Sequence, residues 1–190
     1  MSISRQTTQA ITVVGNGGSY ATLTLHTKRN GIWTETLSCT ARVGKNGITS
    51  NKREGDGKTP TGIYSFGQAF GVAGNPGTSR GWLQVNNNHY WVDDVNSPYY
   101  NKLVDASQTG IQWSSAEHLI GYPTAYKYAI AVNYNTACTP GACSAIFLHC
   151  STGGSTAGCI SVGQSNMIRI LQSLQGDTLI GIYQNSNSLY

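Results

Sequence analysis

The feature that most constrains this chain is a period-two alternation of apolar and polar residues through Ala10 to Val14, Tyr20 to His26 and Ile32 to Val43. Side chains on a strand point alternately to its two faces, so this rhythm predicts three strands. Asn16-Gly17-Gly18 and Asn30-Gly31 fall between them and supply the positive φ of tight hairpin turns, which makes a β-meander the expected start. Further short strands are predicted at Ile63 to Phe66, Trp82 to Val85, Tyr90 to Asp94, Ser144 to His149, Cys159 to Val162 and Thr178 to Tyr183, with Tyr126 to Tyr134 also alternating. Residues 44–62 and 67–81 read as loops. Two short helices are predicted. Ser114 and Glu117 have capping-box spacing at the start of 114–120. In 166–175, Met167, Ile170, Leu171 and Leu174 fall at i, i+3, i+4, i+7, with Ser165 as N-cap and Gly176 just past the end. The fold class is mainly β.

The chain has 190 residues, no internal repeat and no low-complexity linker, which predicts one domain over 10–190 behind a polar extension of residues 1–9. Charged residues make up 11%, against about 25% in an average domain. That excludes a coiled coil, a long-helix bundle and a strongly charged tail. The net charge of +4 is a mild bias. Basic residues concentrate at Arg42, Lys45, Lys52, Arg53 and Lys58, interrupted by Glu54 and Asp56, and no aromatics interleave with them. The patch reads as a solvated face or one favouring an anionic polymer, and nucleic acid is not an expected partner. No apolar run approaches the roughly 18 residues of a membrane span, and none of the first nine residues forms a secretory apolar core. Export without such a leader, or a chain already trimmed, are the two expectations that remain open.

Five cysteines leave at least one thiol unpaired within a monomer. Cys138 and Cys143 bracket the turn Thr139-Pro140-Gly141-Ala142 and are the candidate local disulfide. Cys39 and Cys150 follow by elimination, leaving Cys159 free. The alternative is five reduced thiols, the buried ones serving as small apolar side chains.

The stretch that carries chemistry is AIFLHCSTGGSTAGCISV, residues 145–162. An apolar strand ends in His149, a loop of small residues follows, and Cys159 comes after Gly158. A thiol beside an imidazole can form a thiolate–imidazolium pair and act as a nucleophile at neutral pH. Backbone amides around Gly158 and Cys159 can donate to an oxyanion. No acidic residue lies between 118 and 176, so a backbone carbonyl after His149 is the economical group to orient its ring. Rival readings are weaker. A zinc site from His149, Cys150 and Cys159 lacks a paired knuckle and a fourth ligand, so no metal or cofactor is expected. Ser155 is followed by Thr156 and Ala157, which breaks the nucleophile-elbow pattern. Gly57-Lys58-Thr59 lacks the first glycine of a phosphate-binding loop, since position 52 is Lys52.

The run FLHCSTGGSTAGCISV resembles the active-site signature of the L,D-transpeptidases, the YkuD-type catalytic domain. GKNGITSNKREGDGKTPTGIYSFGQAFG, with its turn Thr59-Pro60-Thr61-Gly62, resembles that family's early segment. SSAEHLIGYPTAYKYAIAVNYNT and the following GACSAIFLH resemble the segment before the signature. The resemblance covers roughly residues 10–183 and implies a single-domain β-sandwich. It makes Cys159 the nucleophile, His149 its base, the Cys150 carbonyl the group that orients the imidazole, and Gly158 the glycine before the nucleophile. Thr156 matches the signature's Ser/Thr, and Ser161 a position that faces substrate. The chain departs from the pattern at Ala157, where many members have a second histidine, and at Ser161, where many have Arg or Asn. Arg53, Arg80 or Lys58 are the candidates to replace that Arg. His118 has two readings, a substrate contact or a plain helix residue, and Glu117 is read as the helix cap.

What the resemblance implies is an extracytoplasmic cysteine acyltransferase acting on peptidoglycan stem peptides, with a tetrapeptide donor and an amine acceptor joined in a 3→3 cross-link. An L,D-carboxypeptidase would use the same site with water as acceptor. A non-catalytic wall-binding module is the reading from a different class.

Overall fold

The structure is a computed structural model that describes residues 3–189. The alternating segments become β1 (Gln9–Gly15), β2 (Tyr20–Arg29) and β3 (Ile32–Arg42), an antiparallel meander as expected. Thr7 and Thr8, ahead of β1, bind the carboxylate of Asp177 at 2.9 and 2.8 Å. The 44–62 loop contains two residue pairs in parallel, β4 (Ile48–Thr49) and β5 (Thr59–Pro60).

β6 (Gly62–Gly71) runs five residues beyond the expected strand end and into the expected loop. Its glycines, read from sequence as loop residues, mark close approaches instead. A Cβ on Gly71 would stand 2.3 Å from the Lys127 carbonyl oxygen, and one on Gly67 would stand 2.6 Å from Asn133 Oδ1. Phe66, Ala69 and Phe70 between them are buried.

There follow β7 (Trp82–Gln84), β8 (His89–Val92), β9 (Leu103–Asp105), α1 (Ala106–Thr109), β10 (Ala116–His118), β11 (Ala129–Val132), β12 (Phe147–Cys150), β13 (Ile160–Val162), α2 (Gln164–Ser173) and β14 (Leu179–Tyr183). β9 and α1 carry no sequence signal that separates them from their polar surroundings.

Nine strands join in the order β11-β12-β13-β3-β2-β1-β14-β6-β7, and β11 also pairs with β6. The sheet therefore folds back and closes on itself, which forms the expected sandwich from one continuous sheet. Ile11, Val13, Leu23 and Leu25 point inward and are fully or almost fully buried. They meet Met167, Ile170 and Leu171 of α2, so the helical stripe read from sequence is the core-facing one. The helix begins two residues earlier than expected. Gly163 holds the cap position without a side-chain bond, and Leu174 rather than Gly176 closes the C-terminus. A second apolar cluster, which includes Phe70, Tyr126 and Phe147, packs around Cys159.

The helix expected at 114–120 is not formed. Ala116–His118 pairs with β8 instead, with Glu117 opposite Trp91. The Ser114 amide and hydroxyl bind the Asp94 carboxylate, both at 2.8 Å, so the serine half of the capping box caps nothing helical. The five thiols stand free, and neither the Cys138–Cys143 nor the Cys39–Cys150 bridge is made.

Candidate active site

Cys159 sits immediately before β13, and its sulfur is held by the neighbouring strand. β12 and β13 run parallel, with Leu148 beside Ile160 and His149 beside Ser161. That register sets Cys159 against Phe147, whose amide donates to Cys159 Sγ at 3.3 Å. The thiol donates to the Ala145 carbonyl at 3.2 Å. Ala145 has φ 53° and Cys143 φ 83°, left-handed conformations that cost a non-glycine residue about 1–3 kcal/mol each. The Ala145 amide donates to Asn101 Oδ1 at 3.1 Å, which fixes the bend that turns its carbonyl to the sulfur.

His149 leaves β12 from the same face as Phe147, two residues on. Its Nδ1 bonds the Cys150 carbonyl at 2.8 Å. A carbonyl can only accept, so Nδ1 carries the proton and Nε2 keeps a free lone pair. The Tyr126 ring stands edge-on to both His149 and Phe147, each at 5.5 Å between centroids. The Cys150 side chain points the other way, as alternation requires, and its thiol donates to the Tyr128 carbonyl at 3.6 Å. His149, Cys150 and Cys159 therefore do not converge as metal ligands. Among the described residues, no group of three His, Cys, Asp or Glu is placed to hold a metal ion.

Burial favours the neutral form of both groups. Burial pushes the Cys159 thiol far above its ordinary value, the Glu117 charge adds to that, and the Phe147 amide only partly opposes it. Burial pulls His149 below its ordinary value, against the Cys150 carbonyl. Burial of both groups thus works against the thiolate–imidazolium pair that the spacing allows. Among the described residues His149 and Cys159 share no hydrogen bond, and charge separation awaits a change at the sulfur.

The loop ahead of the thiol is pinned from two sides. Thr156 Oγ1 donates to the Cys159 carbonyl at 2.7 Å and accepts the Gly158 amide at 3.2 Å. The Gly158 amide is thereby committed, which removes it from the donors expected for an oxyanion. Thr59, fully buried, donates to the Gly158 carbonyl at 2.7 Å and accepts the Gly44 amide at 2.9 Å. Position 158 has little room for a side chain. A Cβ there would lie 3.1 Å from the Lys58 carbonyl oxygen and 3.3 Å from Ile146 Cδ1.

Cys159 and Gly158 open onto a cleft shared with Lys52, Glu54, Asp93 and Glu117. Lys52 Nζ binds Asp56 Oδ1 at 2.6 Å and the Arg53 carbonyl at 2.8 Å. Burial works against its charge, but Asp56 and Cys143 outweigh burial and hold the ammonium above its ordinary value. Glu54 accepts from the Tyr100 hydroxyl at 2.5 Å and the Ser144 hydroxyl at 3.0 Å. Glu117 accepts from the Tyr126 hydroxyl. Burial and the charges of Asp93 and Glu54 raise its carboxyl to about 7, against the Tyr126 hydrogen bond.

Of the residues singled out from sequence, Cys159, His149, Cys150, Gly158 and Thr156 are brought together. Ser161 lies beside His149 on the face that also carries Cys159, is 1% exposed, and among the described residues its hydroxyl has no partner. His118 points away from the cleft, stacked on Tyr90 at 4.4 Å with Nε2 on the Asn87 carbonyl at 2.9 Å. Arg53 is exposed and does not line the cleft, although its neighbours Lys52 and Glu54 do. Arg80 binds the Gln175 and Phe66 carbonyls at 2.9 and 3.2 Å, in a different part of the fold. Sequence reasoning missed Thr59 as the pin of the nucleophile loop and Glu117 as a wall of the cleft. The Thr-Pro-x-Gly turn was the visible signal for the first. For the second, the capping-box pattern masked the alternation of a short strand.

The L,D-transpeptidase catalytic domain family, YkuD, matches residues 6–182. Among solved structures, Bdellovibrio bacteriovorus Bd1075 aligns with a TM-score of 0.52 at 16% identity, over 96% of this chain and 50% of that one. Mycobacterium tuberculosis L,D-transpeptidase 1 aligns with a TM-score of 0.38 at 16% identity, over 92% of this chain and 62% of that one. The chain thus spans about half the length of the first, with which it shares the fold. No curated protein gives a significant match.

Proposed function

The chain belongs to the L,D-transpeptidase catalytic domain family, and on that premise we propose that it cross-links peptidoglycan stem peptides through a thioester on Cys159. The observation that carries this reading is the His149 ring. Its Nδ1 is fixed on the Cys150 carbonyl, with Nε2 free, on the strand that runs parallel to the one Cys159 precedes. Substrate arrival moves the thiol off the Ala145 carbonyl, and His149 Nε2 takes its proton as the sulfur attacks the carbonyl of the third stem residue. A general base suits a pair that rests neutral, because charge then develops only as bonds change. The imidazolium returns the proton to the amine of the departing D-alanine. The side-chain amine of another stem's diamino acid then attacks the thioester, which gives a 3→3 link. The polymer lies outside the cytoplasm, so the protein acts there.

The test is product analysis by mass spectrometry after incubation with a disaccharide-tetrapeptide, beside Cys159→Ala. Cross-linked dimer that vanishes in the variant is the expected result. Tripeptide alone would make the protein an L,D-carboxypeptidase. No turnover of several stem types, with wall binding intact in both proteins, would make it a binding module.

A further inference from the structure

The cleft at the Cys159 sulfur is lined by three carboxylates and one ammonium, and the ammonium is already engaged by Asp56. Its charge balance therefore suits a cation. Two oxygens point to the kind of cation. Asp93 Oδ1 is buried without a partner, the only carboxylate oxygen in that state among the described residues. A buried acceptor left unmade costs about 1–3 kcal/mol, so an N–H donor entering here is favoured. Glu117, which accepts from the Tyr126 hydroxyl through one oxygen, also lines the cleft. The carboxylates are not grouped as metal ligands. An alkylammonium, with three donors on one atom, matches separated acceptors that a metal ion would need to have converge.

We propose that Glu117 is the proton acceptor for the attacking amine, and that Asp93 and Glu117 together select an alkylammonium acceptor in the second half-reaction. This inference rests on the thioester reading of Cys159 and names the group that completes it. A side-chain ammonium with an ordinary pKa near 10.4 arrives protonated and cannot attack. Glu117 removes one proton and becomes a neutral acid. The free amine nitrogen bonds to the thioester carbonyl carbon, the C–S bond breaks, and the sulfur leaves with its electron pair. The nitrogen's second proton passes through His149 to the sulfur and restores the thiol. Glu117 then releases its proton to solvent. One amide forms, one thioester is lost, and one proton leaves the site.

The charged and titratable groups facing Glu117 are Asp93 after β8, Glu54 from the β4–β5 loop, Tyr122 and Tyr126 from the turns after β10, and Cys159. Burial first, and then the neighbouring acids, raise its carboxyl to about 7, the range in which a general base works best at physiological pH. Its charge also opposes a thiolate at Cys159. Protonated Glu117 therefore favours thiolate formation, and ionised Glu117 favours amine attack.

Glu117→Gln keeps an oxygen for the Tyr126 hydroxyl and tests the proposal. The acyl-enzyme is formed on wild type and variant, isolated, and challenged with a diamino-acid stem or with hydroxylamine, which is an uncharged nucleophile at neutral pH. The variant should acylate at least as fast as wild type, clear hydroxylamine at the wild-type rate, and lose roughly 10²-fold in rate with the stem amine. The acid limb of wild-type aminolysis, centred near neutrality, should vanish in the variant. Equal stem aminolysis in the two proteins, or parallel loss of hydroxylamine and stem reactions, overturns the proposal. Asp93→Asn gives a second reading: it should raise the KM for the stem amine, and an unchanged KM counts against the subsite. Absence of any acyl adduct on wild type would instead overturn the thioester reading itself, so the two failures are distinct.

Discussion

Removing the Thr59 hydroxyl should loosen the nucleophile loop at a calculable energy. In Thr59→Val the side chain keeps its branched shape and loses one oxygen at a fully buried position. That oxygen now accepts the Gly44 amide at 2.9 Å and donates to the Gly158 carbonyl at 2.7 Å. The Cys159 carbonyl, 3.2 Å from the same hydroxyl, retains Thr156 at 2.7 Å and is not orphaned. Two buried backbone groups are thus left unmade, at about 1–3 kcal/mol each, for a total of roughly 2–4 kcal/mol once partial relaxation is allowed. For a domain of this size each kcal/mol lowers Tm by about 2–4 °C. Urea unfolding and a thermal melt of wild type, Thr59→Val and Thr59→Ser measure the effect. Serine keeps the hydroxyl and loses a methyl, so it should recover most of the stability and turnover that valine removes. A valine variant within about 0.5 kcal/mol of wild type, the range of an ordinary surface change, would refute the idea that this hydroxyl holds residues 158–159 in place.

Three further outcomes follow from the site. Alkylation of Cys159 should accelerate through the alkaline range, because burial and Glu117 raise the thiol; a rate plateau with a midpoint below neutrality would restore the preformed ion pair. Glu117 is raised from 4.5 to about 7, so the folded state holds its proton more tightly. Its contribution is complete below pH 4.5 and is lost as pH rises through 7, up to about 3 kcal/mol for a partly buried group. Urea midpoints of wild type and Glu117→Gln should therefore diverge between pH 4.5 and 8, and parallel curves would contradict the shift. Ser161→Ala removes a buried hydroxyl that has no partner among the described residues, so stability by urea unfolding should be unchanged or improved, and a loss above about 1 kcal/mol would show a hydrogen bond at Ser161 Oγ.

The meander was legible because Ile11 and Val13 of β1 and Ala21, Leu23 and Leu25 of β2 are buried at alternate positions, with Leu37 and Ala41 buried on β3, and alternation is a local property of sequence. α2 was legible for the same reason at period 3.6, although its ends were not. The closure of the sheet through β11 and β6 was not legible. It depends on Gly71, which admits the Lys127 carbonyl, and on Gly67, which admits the Asn133 side chain, and glycine in isolation reads as a loop. At the site, Cys159, His149 and the Cys150 carbonyl lie on one pair of adjacent strands, so a short motif brings them together. Thr59 and Glu117 reach the same cleft from distant segments, and only the tertiary fold places them there. The protonation of the pair was not legible, because spacing brings a thiol and an imidazole together but does not show their burial, which favours the neutral forms.

A covalent thioester on Cys159 should be trapped by acid quenching during turnover of a tetrapeptide stem and seen by intact-protein and peptide-level mass spectrometry. The expected adduct equals in mass the stem less D-alanine, maps to Cys159, is absent from Cys159→Ala and accumulates more slowly in a His149→Gln variant. Stem turnover with no adduct on Cys159, or turnover that survives Cys159→Ala, would contradict it.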